Sequence, residues 1–263
     1  GHFLAYNRLM QLFRCHWKTK LEEPQTHEVV QTLYTYGAGR HLIKWHYRAL
    51  ITLTKLSLSP LRSKWEDELT RSLHDREWER ALSRPQEISR GTRLKLVQFF
   101  ILHRAYLTPQ KINSYYPGAE AACPRCTLPD ADLQHMLWSC PALHNYWAFI
   151  TTLLATVTGY TDLHSWGAIT LGIFKRPKQS KLTTRFVDLA LILALKLITG
   201  SWKSKNAPHY KHWCSELINW ATAEHTLLLM DESRGLRKYP LAAGWDALLL
   251  QFQSHIKDDN LPP

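Results

Sequence analysis

A chain of 263 residues with 45% apolar and 21% charged content is long enough for one large domain or two ordinary ones, and too apolar to be disordered. Its net charge of +11 is concentrated in two windows: residues 88–115 hold Arg90, Arg93, Lys95, Arg104 and Lys111 with no acid, and residues 171–211 hold nine cations against Asp188 alone. That concentration points to a polyanionic partner, most simply nucleic acid, because each neutralised phosphate releases a counterion; an ordinary solvated basic face is the competing reading.

No basic start followed by an apolar run marks a secretory signal. The most apolar stretch, Phe186 to Ile198, contains Asp188 and Lys196, and its unbroken part falls short of the roughly 20 residues a bilayer requires. An intracellular protein without a membrane partner is expected. The first residue is Gly1 rather than methionine, which points to a fragment or processed piece.

Apolar residues at three- and four-residue steps predict helices over 2–16, about 27–36 and 41–55, separated by Pro24, by Gly37 and Gly39, and closed by Ser57–Pro60. Residues 61–82 set Trp65, Leu69, Leu73 and Trp78 among mixed charges, as a helix with one buried stripe and a break near His74. Glu66, Asp67 and Glu68 point in different directions on such a helix, so they are expected on the solvated surface rather than at a metal or acid–base site. Ser89 or Thr92 caps the next helix, which runs through Leu94 and Phe99 to Tyr106. Thr108 and Pro109 then supply the N-cap and first-turn proline of a short helix to Tyr116, stopped by Pro117 and Gly118.

Farther on, an aromatic helix carries Tyr146, Trp147 and Phe149, and a basic connector over 175–181 leads into a buried helix that ends near Gly200. Pro208 opens a helix to about Met230, Ser233–Gly235 makes a turn, and an amphipathic piece spans Trp245 to Ile256. The expected fold is mostly α: helical-bundle segments in three parts, 1–60, 61–160 with the cysteine-rich motif, and 161–263, basic and rich in tryptophan.

That motif is Cys123-Pro124-Arg125-Cys126 followed by His135 and Cys140, a C-x2-C-x8-H-x4-C spacing. Thiolates and imidazole are the preferred ligands of tetrahedral Zn²⁺, and four protein ligands leave no open position for a reacting water, so a structural zinc is expected. The close cysteine pair makes a chelating turn that Pro124 helps to fix. His135 and Cys140 lie five residues apart, so the backbone must bend if both are to converge. A disulfide and simple apolar burial of the thiols are the competing readings, although three clustered cysteines cannot all pair among themselves. His209, His212 and Cys214 lack an obvious fourth ligand and read as surface and core. No phosphate loop, nucleophile elbow or H-E-x-x-H occurs, and Asp258-Asp259 sits in a polar tail, so no catalytic residue is expected.

In order along the chain stand Trp65-Glu-Asp-Glu-Leu69, Trp78, Arg93 to Phe99, His103 to Pro109, Cys123 to Cys126, His135 to Pro141, Tyr146-Trp147, Ile169 to Gly172, Lys196 to Lys205 and Trp213. This series resembles the carboxy-terminal region of the second open reading frame protein of vertebrate LINE-type (non-LTR) retrotransposons, over about residues 60–220. Such proteins place an apurinic-type endonuclease first, a reverse transcriptase next and a cysteine-rich segment last. The first two are missing and no Y/F-A-D-D palm motif occurs, so the resemblance implies polymerase activity for the parent family and not for this chain. It implies a thumb-like role for 1–60, RNA binding at the Cys123/Cys126/His135/Cys140 motif, target DNA as a second partner, and a ribonucleoprotein in nucleus or cytoplasm. The eight-residue gap is wider than in retroviral zinc knuckles, a departure from their mode of base recognition.

On this reading Arg125 meets phosphate and Trp138 stacks on an unpaired base. Arg93, Lys95, Arg104 and Lys111 extend the track, and Lys203 and Lys205 add grip from the second basic window. A structural or protein-interaction module, and a decayed element without function, are the alternative readings.

Overall fold

The computed structural model describes residues 57–175, 181–235 and 241–257. The helices expected over 2–16, 27–36 and 41–55, most of the basic connector and Asp258-Asp259 lie outside the described residues. The chain divides into two compact units, Gly1–Pro60 and Leu61–Pro263. The fold is mostly α, and the described residues contain no strand.

Among the described residues nine α-helices follow one another: α1 (Ser59–Leu69), α2 (Asp75–Glu87), α3 (Thr92–Leu102), α4 (Pro109–Tyr115), α5 (His144–Thr158), α6 (Trp166–Leu171), α7 (Lys181–Gly200), α8 (Tyr210–Ser233) and α9 (Ala242–Lys257). The break near His74 is where the sequence puts it. Thr108 accepts a hydrogen bond from the Lys111 N–H with Pro109 in the first turn, as its residue types dictate. At α3 the N-cap is Gly91, not Ser89 or Thr92. Ser89 Oγ is drawn away to the buried carboxylate of Glu224 at 2.6 Å.

The second unit is organised around α7, whose residues Phe186 to Leu195 are all buried. It packs against α3, α5, α6, α8 and α9. A run this apolar, broken only by Asp188, finds its stable place at such a centre. The segments 61–160 and 161–263, distinguished by composition, share this one core. Tryptophans pin the helices together through their indole N–H groups: Trp65 donates to Leu102 O, Trp213 to Ala190 O and Trp245 to Ala221 O, at 2.8–3.0 Å. Each ring thereby buries its area without orphaning its one polar atom.

Charges inside this core come in linked groups. Arg84, 2% exposed, pairs with Asp188 at 2.9 Å and donates to the carbonyls of Thr170 and Ile169 at the end of α6. Gln98 Nε2 also donates to Thr170 O, so the last carbonyls of α6, which have no partner within the helix, are capped from outside. Gly172 follows in the left-handed region at φ 70°, and a Cβ there would lie 2.9 Å from Arg84 Nε. A second group joins Glu224 to Arg185, Ser89 and the Arg90 N–H.

The acidic run of α1 departs from expectation. Glu66 accepts from Arg62 and from the Leu73 N–H. Glu68 pairs with Arg104 and accepts from Trp166 Nε1. Glu66 thus closes the turn after α1, and Glu68 ties the start of the unit to distant segments, instead of lying free in solvent.

Candidate metal centre

The cysteine-rich stretch folds as a loop joined to a short helical segment. Backbone bonds from Ala131 N to Ala121 O and from Cys123 N to Leu128 O fold the loop back on itself, and Thr127 N closes on Cys123 O. Thr127 and Asp130 adopt φ of 60° and 52°, the left-handed values tight reversals demand and β-branched residues ordinarily avoid. Asp132 Oδ1 then accepts from the His135 N–H at 2.7 Å, capping the segment that follows.

That segment solves the problem of His135 and Cys140. In an α-helix five residues cover about 1.4 turns and the two side chains diverge. Here His135–Ser139 is a π turn, with the Cys140 N–H bonded to His135 O, five residues back, at 3.1 Å. The wider turn brings the five-residue step closer to one revolution, so both ligands face the Cys123–Cys126 loop.

Its cost falls on the next carbonyls. The π pattern would give Met136 O the N–H of residue 141, but Pro141 has none. Arg125 Nη1 donates to Met136 O instead, at 3.0 Å. The Ala142 N–H is directed to Cys140 sulfur, and Leu137 O takes the Trp147 indole at 2.9 Å.

The donor atoms of Cys123, Cys126, His135 and Cys140 lie within 4.8 Å of one another. Cys123 Sγ and Cys140 Sγ are 3.8 Å apart, the edge of a tetrahedron with about 2.3 Å metal–sulfur bonds. Cys126 Sγ is 3.2 Å from His135 Nε2. All four described cysteines, Cys214 included, are free thiols, so the cluster contains no disulfide.

The surroundings favour the ligand forms unequally. Burial works against ionising Cys123, but the N–H groups of Arg125 and Cys126, helped by the neighbouring sulfurs, hold it below its ordinary value. Cys140 is pushed up to about 11 by burial, with Cys126 and Cys123 adding to the effect. Burial lowers the His135 pKa against the pull of Asp132, with a smaller contribution from the Arg125 cation. Neutral imidazole is the form that binds metal, and thiol protons are released on binding. The donor set and spacing are compatible with a metal held entirely by protein ligands. Among the described residues no other group of this kind occurs; Cys214 lies in the core, while His209 and His212 are exposed.

The residues expected to contact nucleic acid are distributed less simply. Arg93, Lys203 and Lys205 are exposed, and Lys95 is half-buried with its ammonium 3.3 Å from Gln86 Oε1. Arg104 is instead a core residue, 9% exposed, in a two-pronged pair with Glu68 and over the Trp65 ring. Arg125, read as a phosphate contact, turns inward to Met136 O, with Nε and Nη2 shielded from solvent. Trp138 is half-buried between Trp147 and His164, with ring centres 6.0 and 4.7 Å away. Lys111 donates to Arg104 O while remaining half-exposed.

Two separated basic segments do meet. Trp202 donates from Nε1 to Leu107 O at 3.0 Å and stacks on Tyr106, with centres 5.2 Å apart. The turn bearing Lys203 and Lys205 is therefore seated beside the start of α4, which carries Lys111. The same helix joins the cysteine loop through the bond from Gln110 N to Ala131 O, 3.2 Å. Sequence reasoning missed the exposed pair Tyr115 and Tyr116 at the end of α4, 63% and 71% exposed; the helix-stopping Pro117-Gly118 beside them was the available signal. No helix among the described residues is long and apolar enough to cross a membrane. Comparison of the chain with protein-family models and with curated proteins finds no match in either.

Proposed function

We propose that this chain is a nucleic-acid-binding carboxy-terminal piece of a LINE-type reverse transcriptase polyprotein, itself without catalytic machinery, in which Zn²⁺ at Cys123, Cys126, His135 and Cys140 fixes a binding surface. RNA is the first partner and target DNA the second. The observation that carries the reading is the seating of Trp202 on Leu107, which joins cations from both basic windows beside the loop holding the tetrad. Arg185 and Lys196 of the second window are engaged with Glu224 and Glu216, whereas Lys203, Lys205 and Lys211 are exposed. Zinc would act through its four protein ligands to hold the loop against α4 and α5, not as a Lewis acid.

Binding of RNA measured across salt tests this. A steep negative slope is expected, and Lys203→Gln with Lys205→Gln should flatten it by roughly 1.4, at about 0.7 per phosphate contact on a single strand. A flat slope in the unmutated protein would turn the reading toward a structural or protein-contact module.

A further inference from the structure

Tyr115 and Tyr116 close α4 with their rings in solvent, 63% and 71% exposed. Most large aromatic side chains of this unit are buried or stacked, so the pair stands out against a molecule otherwise efficient at covering its rings. Lys111 precedes Tyr115 by four residues, the spacing that places two side chains on one helix face. Burial lowers the Lys111 pKa, and the positive charges of Arg104 and Lys64 lower it further, so cations crowd here. Between Ala105 and Arg125 the one acid is Glu120. Lys203 and Lys205 follow Trp202, whose bond to Leu107 O seats their turn beside the start of the same helix. Exposed rings beside uncompensated cations suit a ligand with flat apolar faces strung on an anionic backbone.

We infer that Tyr115 and Tyr116 form a stacking platform for unpaired bases, flanked by Lys111, Lys203 and Lys205 as phosphate contacts, so that this edge takes single-stranded rather than duplex nucleic acid. The inference rests on the nucleic-acid reading above and deepens it by naming the strand state. In a duplex the base faces are covered by their neighbours, and a tyrosine ring has nothing to stack on; in a single strand every base offers one. The platform also moves the stacking role from Trp138, which is packed between Trp147 and His164, to rings that are open.

The test uses the full chain with a short unstructured RNA and the same sequence as a duplex. In Tyr115→Ser/Tyr116→Ser, single-strand affinity should fall at least about fivefold, with helicity, duplex affinity and the salt slope unchanged. Tyr115→Phe/Tyr116→Phe, which keeps both rings, should bind as the unmutated chain does. Unmutated protein that binds RNA while the serine variant loses nothing, or loses equally for both strand states, would overturn the platform and leave the nucleic-acid reading standing. Unmutated protein that binds neither would remove that reading and the platform with it.

Discussion

Arg125 Nη1 donates to the carbonyl of Met136 at 3.0 Å, and the partnership exists because Pro141 cannot supply the N–H that the π turn over His135–Ser139 requires. The side chain between the two cysteines of the chelating turn thus supports the turn that carries the other two ligands. Arg125→Met should weaken metal retention about fivefold or more, as loss of a charged hydrogen bond to a buried carbonyl costs about 1–3 kcal/mol. It should leave the salt slope of RNA binding unchanged. Chelator competition and a salt series measure both; a slope lowered by about 0.7 would mean that Arg125 meets phosphate after all.

The pair Arg84–Asp188 lies in the core, 2.9 Å apart and sealed under Gly172. Arg84→Met should destabilise the protein by about 3–5 kcal/mol, because it strands a buried carboxylate. Arg84→Met with Asp188→Leu should recover much of that loss. Gly172→Ala should cost at least about 1 kcal/mol, from left-handed strain alone and before the collision with Arg84. Urea unfolding of the variants checks all three, and a double variant no better than the single would contradict the explanation.

Acid should weaken the fold through carboxylates held low by their partners. Glu216 is lowered chiefly by its bond to Lys196, and Glu77 chiefly by its bond to Arg71. Since the folded pKa lies below the unfolded one, about 4.3 for glutamate, this stabilisation is complete above that value and is lost as pH falls through the folded pKa. In Lys196→Met the acid-side decline of the urea midpoint should become shallower. An identical decline in both proteins would show that the pair does not contribute.

Most of the helical framework could be read from periodicity and caps, since those are local. Thr108-Pro109 marks α4, and the run over Phe186–Leu195, apolar but for Asp188, marks the central helix. The convergence of Cys123, Cys126, His135 and Cys140 was also legible, because residue type and spacing suit a metal. What the sequence concealed was which charge crosses to which. Arg104 and Glu68 are 36 residues apart, and nothing local distinguishes them from solvated neighbours. The inward turn of Arg125 was hidden for a related reason: it follows from a missing N–H at Pro141, which matters only once the π turn is known. That Trp138 is packed and Tyr115 and Tyr116 are open was hidden too, because helical position says which side a ring takes, not what packs over it.

RNA affinity of the metal-loaded protein, the chelated protein and the chelated protein reloaded with Zn²⁺ tests the account most directly. Affinity and the helical signal should fall together on chelation and return together on reloading, and Cys126→Ser should mimic chelation without rescue by zinc. Metal-free protein that keeps its full structure and full RNA affinity would contradict it.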